Sequence, residues 1–199
     1  MKRIKRLVAV GIVIGGVGAA ATVPAAAADT TDTTDTTKTV SFRGMQLKIP
    51  SGWKVYRHTT GDGPAVQVVT GTCPKKGSYV ECDSFELYGP KAIRTGHELS
   101  PYTGKRPWHP STGVVPCPAD DKLWWSFPTH KPAVAATRPA GRGHQAQYRA
   151  WAAHCRNDKG KKVSAFTERV WHLREAGIVV VDVWGTPGLA TILKRATWG

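Results

Sequence analysis

Seven histidines, eight tryptophans and four cysteines carry most of the chemistry this 199-residue chain could offer. The histidines (His58, His97, His109, His130, His144, His154, His172) are scattered. None falls in H-E-x-x-H or another metal-ligand spacing, so neither a metal nor a cofactor is expected. One adjacent pair, His97-Glu98, joins a base to an acid, with Arg94, Lys105 and Arg106 close by in sequence. A small hydrolase acting on a phosphodiester would need such a pair and such cations. Nothing in the sequence fixes the geometry of the pair, and solvated loop residues are the plainer reading. His154 stands beside Cys155, but neighbours on a strand point to opposite faces. There is no G-x-S-x-G and no phosphate-binding glycine loop, so no catalytic residue is assigned.

The tryptophans divide into two groups. Trp53, Trp151, Trp171 and Trp184 fall on predicted strands and Trp198 at the end of a predicted helix; all five are expected in the core. Trp108 and the pair Trp124-Trp125 are different. On a strand only one of two adjacent side chains points inward, so the other is exposed or covered by a loop. An exposed indole near Lys105, Arg106 or Lys122 would offer a stacking face to a sugar or a base.

Cys73, Cys82, Cys117 and Cys155 make an even count, which in an exported chain favours two disulfides. Three pairings are open. Cys73–Cys82 with Cys117–Cys155 is favoured, because the first would close a short turn-like loop around Lys75, Lys76 and Gly77. Loop entropy would make these bridges worth about 2.7 and about 3.9 kcal/mol. No C-x-x-C occurs, which argues against zinc.

Export is expected from the first 28 residues. Lys2, Arg3, Lys5 and Arg6 precede an uncharged run from Leu7 to Val23, which ends in Pro24 and four alanines. That order is a cleavable signal peptide, with cleavage between Ala28 and Asp29. The alternative is an uncleaved anchor, disfavoured by four glycines in the run and by the processing site that ends it. Without an Arg-Arg pair the route is Sec-type. No later stretch is apolar enough to span a membrane, so the expected product is secreted. Residues 29–39 are threonine, aspartate and one lysine, with nothing to bury, and are expected to be a disordered leader. Residues 40–199 then form one globular domain. The net charge is +14, of which the signal contributes four; it suits an anionic partner such as a cell-wall polymer, a charge that only keeps the protein soluble is the plainer reading, and a monomer is expected.

The elements that would position these residues are mostly strands. Residues 40–49 alternate, with a turn or bulge at Gly44, and put Met45, Leu47 and Ile49 inward. Further strands are predicted at 53–58, 65–70, 84–88 and 123–127. Residues 89–121 hold six of the fourteen prolines and read as a long irregular segment stapled by Cys117. Residues 128–143 read as a connection. Residues 144–184 predict a three-stranded antiparallel meander, with turns at Asn157-Asp158-Lys159-Gly160 and Arg174-Glu175-Ala176-Gly177. A final helix is predicted with Thr186 as N-cap, Pro187 at its first position and Leu189, Ile192, Leu193 and Ala196 as its apolar stripe. The expected fold class is α+β: a mostly antiparallel sheet with the C-terminal helix packed on it.

The opening Ser41-Phe42-Arg43-Gly44-Met45-Gln46-Leu47-Lys48-Ile49-Pro50-Ser51-Gly52-Trp53, together with Arg169-Val170-Trp171-His172-Leu173 and Val181-Asp182-Val183, resembles secreted proteins of actinobacteria. The opening is also similar to PsbP-like domains. That resemblance implies an antiparallel sheet flanked by helices and an accessory or binding role, with no reaction attached. The functional expectation is a secreted, non-enzymatic binding or accessory domain at the bacterial cell surface. The alternatives are the phosphodiester hydrolase above and a disulfide-held inhibitor or toxin using the 89–121 loop as its contact surface.

Overall fold

Strict alternation of apolar and polar residues shapes the first elements. A computed structural model describes residues 36–60, 63–73, 82–95, 100–109 and 113–199, all within the compact unit Asp35–Gly199. Strands β1 (Thr37–Phe42) and β2 (Met45–Pro50) pair antiparallel as a hairpin. Arg43 and Gly44 both have positive φ, the condition for a two-residue turn that follows the twist of its strands. Gly44 therefore marks a full reversal rather than a bulge. Met45, Leu47 and Ile49 are fully buried, while Gln46 and Lys48 face out. β1 begins at Thr37, so the last three residues of the threonine-aspartate stretch belong to the folded body.

The larger sheet holds β3 (Lys54–Thr60), β4 (Gly63–Val69), β5 (Ser84–Tyr88), β6 (Pro116–Cys117), β7 (Asp120–Ser126), β8 (Val134–Pro139), β9 (Gln145–Arg156), β10 (Lys162–Leu173) and β11 (Ile178–Asp182). Its order is β3-β4-β5-β11-β10-β9-β7-β6, with β8 also paired to β9. The meander β9-β10-β11 is formed as its turn residues predict. β9 is twelve residues long and shares one edge between two partners, β8 along 145–150 and β7 along 154–156. β8 lies where a plain connection was expected. Its alanines and terminal Pro139 are poor strand formers, and the open edge of β9 supplies the pairing.

The α+β expectation is overturned. The architecture is mostly antiparallel β, with the larger sheet curled into a half-barrel, and the described helices are only α1 (Pro90–Thr95) and α2 (Leu189–Lys194), six residues each. These two short helices are all that the described residues show of the flanking helices that the PsbP-like resemblance implies. Thr186 does not cap α2: its hydroxyl donates to Asp182 Oδ1 at 3.2 Å, and the N-cap is Gly188 at φ 73°. After Arg195 the chain extends again as β12 (Thr197–Trp198), which pairs with β2 and completes a three-stranded sheet. Trp198 therefore ends a strand, not a helix. Fewer than two turns cannot form a layer, although Leu189 and Leu193 do enter the core.

The two faces of the larger sheet are packed differently. One face, carrying Val66, Val68, Phe85, Leu87, Tyr148, Trp171 and Val180, meets the inner residues of the small sheet in one apolar cluster. The other face lies under the segment between β5 and β7, with Ala92, Tyr102 and Trp108 packed on Trp151, Val170, Val179 and Val181. The cysteines are bonded as Cys73–Cys82 and Cys117–Cys155. The second bond ties β6 to β9. No described helix is long and apolar enough to cross a membrane.

Candidate functional site

Polar groups cluster on the covered second face. Alternation on β5 sends Phe85 and Leu87 to the main core, which leaves Ser84, Glu86 and Tyr88 on the other side. Glu86 lies directly across from Gln67 on β4 and Val181 on β11. The same rule on β10 sends Trp171 to the main core and Glu168, Val170 and His172 to the covered face. Glu168 is completely buried, and its Oε1 accepts the backbone N–H of Trp108 at 2.7 Å. That bond pins the cover to the sheet. Trp108 stacks on Tyr88 with centroids 5.0 Å apart and meets the edge of Tyr102 at 5.1 Å. Tyr102 in turn lies 5.4 Å from His172.

Beside this packing is a cavity of about 290 Å3. Glu86 and Tyr88 from β5, Trp108 from the cover, Asp121 and Trp125 from β7, and Trp184 just after β11 all line it. The Tyr88 hydroxyl donates to Glu86 Oε2. The Nε1 groups of Trp108 and Trp125 are buried and have no acceptor among the described residues. The lining contains no lysine, arginine or histidine among the described residues, in a chain of net charge +14.

Burial sets the protonation of this face. It raises the Glu86 carboxyl to about 7 and the Glu168 carboxyl well above the usual carboxylate range, the latter opposed by the Trp108 N–H. It raises the Tyr102 hydroxyl as well, helped by nearby Glu168 and opposed by Arg149. His172 is lowered to about 4, first by burial and then by Arg174. His172 is therefore neutral in the physiological range, Glu86 stands at its midpoint, and burial favours the protonated form of Glu168.

A second feature lies on the opposite face of β7. Trp125 turns inward against Phe166, Phe127 and the cavity, so Trp124 turns out and is 41% exposed. Trp124 sits directly opposite Arg156 of β9, and Arg156 directly opposite Lys162 of β10. Lys122 lies two residues from Trp124 on the same side of β7 and is exposed. The turn after Arg156 adds exposed Lys159 and Lys161. His154 is pushed down by loss of water contact, then by Lys162 and Arg156, which places both cations near it. An exposed indole is thus set in a row of cations.

The other described candidates lie on separate elements. His97 and Glu98, the basic turn Lys75-Lys76 and the Ala28–Asp29 cleavage site lie outside the described residues. His58 is on β3, His130 is exposed after β7, and His144 stacks on Trp198 at 3.8 Å. No group of three or more His, Cys, Asp or Glu among the described residues could hold a metal ion. Trp108 is buried at 2% exposure, so it is part of the cover rather than a surface indole. Glu86 and Glu168 were not singled out by sequence reasoning. The available signal was an acid at one inward position of a strand whose other positions are apolar or aromatic. No protein-family model matches the chain, and neither a curated protein nor a solved structure matches it.

Proposed function

We propose that the protein is a secreted binding module that holds an anionic polymer, such as a phosphate-bearing cell-wall glycan, against the Trp124 strip. The single observation that carries this reading is the exposed Trp124 set opposite Arg156, with Lys122 and Lys162 beside it. An indole face stacks on a sugar ring, and the cations hold the phosphates on either side. Two disulfides and the absence of a membrane-length apolar helix among the described residues suit an extracellular protein. A Sec-type signal with cleavage after Ala28 would deliver it there.

The test is titration of the mature chain with a poly(glycerol phosphate) polymer, followed by tryptophan fluorescence. Binding is expected to weaken steeply between about 0.05 and about 0.3 M salt, because the contacts are exposed and screened. Trp124→Ala should weaken it about tenfold, near 1.4 kcal/mol, and Lys162→Glu at least as much. Equal affinity for a neutral glucan, or no effect of either substitution, would remove the proposal.

A further inference from the structure

The cavity between β5, β11 and the cover is a separate feature, and its chemistry is the reverse of the strip's. Its volume of about 290 Å3 stands at the lower end of small-molecule pockets, which run from about 300 to about 1,000 Å3. That is room for one ring and a short chain. Its walls are Tyr88, Trp108, Trp125 and Trp184, and its polar side chains include the carboxyls of Glu86 and Asp121.

Charge then decides the ligand class. An anion would meet the Glu86 carboxyl and no cation among the described lining residues, and would be repelled. A hydrocarbon would fill the aromatic walls but leave the Glu86 carboxyl without a new partner. An organic cation satisfies both. Its ammonium pairs with Glu86 and lies over an aromatic face, while its body takes the apolar space. The buried indole N–H groups of Trp108 and Trp125, which lack acceptors among the described residues, provide donors for an oxygen on that body. We infer that this cavity is a binding site for a small aromatic or alkyl ammonium compound, with Glu86 as its counter-ion.

Binding should be linked to the ionisation of Glu86. Tyr88 on its own strand donates to it, and Asp121 from β7 shares the cavity. The strands on either side present Gln67 and Val181, which are uncharged. The described covering residues that line the cavity, Trp108 and 115–118, carry no ionisable side chain apart from the bonded Cys117. Burial holds Glu86 at about 7, so the carboxylate form grows in between about pH 6 and pH 8.

The experiment uses the mature chain and three probes of similar size: tyramine, phenethylamine and 3-phenylpropionate. Tryptophan fluorescence and calorimetry give the affinities at pH 6 and pH 8. Both amines are expected to bind at least tenfold more tightly than the acid, tyramine ahead of phenethylamine. Amine affinity is expected to rise several-fold from pH 6 to pH 8, a change read on the unaltered protein. Glu86→Gln, which preserves volume and neutrality, should lower amine affinity about tenfold and remove its pH dependence, with near-UV circular dichroism reporting the fold. The inference is overturned by equal or tighter binding of the acid, by no saturation with either amine at about 10 mM, or by pH-independent binding in the unaltered protein. The Trp124 strip lies on the opposite face of β7, so polymer binding and amine binding fail independently.

Discussion

Asp182 closes β11 and is fully buried. Its Oδ1 accepts the backbone N–H groups of Trp184, Gly185 and Thr186 and the Thr186 hydroxyl, while Oδ2 pairs with Arg169. Arg169 also donates to the Thr186 carbonyl at 3.0 Å. The carboxylate thus orders the turn that carries Trp184 to the cavity and starts the chain toward α2. Asp182→Ala strands three N–H groups and a guanidinium together. Losing one partner of a buried pair typically costs about 3–5 kcal/mol; Arg169 retains some solvent, so about 3 kcal/mol is expected from urea unfolding. Asp182→Asn keeps an acceptor in place and should cost less than the alanine variant. Equal losses would mean that the charge, not the turn, is what Asp182 supplies. The sequence shows Val181-Asp182-Val183 as an acid in a β-branched run but not which groups it satisfies, because Arg169 reaches it only after β10 and β11 pair.

At the scale of elements, legibility followed locality. The β9-β10-β11 meander was readable because its turns are short and chemically marked. β8 was not, because its pairing comes from the open edge of β9 rather than from its own residues. The C-terminal helix is shorter than its apolar stripe predicts because Asp182 holds residues 184–186 in a turn and Gly188 at φ 73° delays the first helical residue to Leu189. The cavity was invisible, since Glu86, Trp108, Trp125 and Trp184 meet only through the sheet and its cover. Among the described residues the anchors of the cover include the Trp108 N–H on Glu168 and the Cys117–Cys155 bond between β6 and β9. Replacing Cys117 and Cys155 by serine releases a loop of 38 residues, for which chain entropy gives a loss of about 3.9 kcal/mol in the urea unfolding free energy. Cys117 and its neighbours Pro116 and Pro118 also line the cavity, so amine affinity should fall in the same variant. A loss under about 1 kcal/mol would place the anchoring in the Glu168 contact instead.

For the whole molecule, the covered face couples stability to pH. Glu86 and Glu168 hold their protons more tightly folded than unfolded. Their contribution is complete below the ordinary value of 4.5 and is lost as pH rises, through about 7 in the case of Glu86. His172 behaves oppositely. Its contribution is complete above its ordinary 6.5 and is lost as pH falls through about 4. Between about pH 5 and pH 6.5 the native state therefore carries the Glu86 proton that the unfolded chain has released and lacks one imidazole proton that the unfolded chain has bound, and the raised Glu168 carboxyl tips the balance toward protons held by the fold. Stability should therefore fall as pH rises through this window, by at most about 1.4 kcal/mol for each unit. His154 is shifted in the same direction as His172, but it lies among exposed cations where salt screens the effect. Urea unfolding at several pH values in that window tests the balance. Glu86→Gln removes one carboxyl proton from the count and should make the fall shallower or reverse it. His172→Gln removes the opposing imidazole and should make the slope steeper. A wild-type protein that gains stability as pH rises through this range would show that Glu86 and Glu168 are ionised in the fold, and the neutral covered face would have to be abandoned.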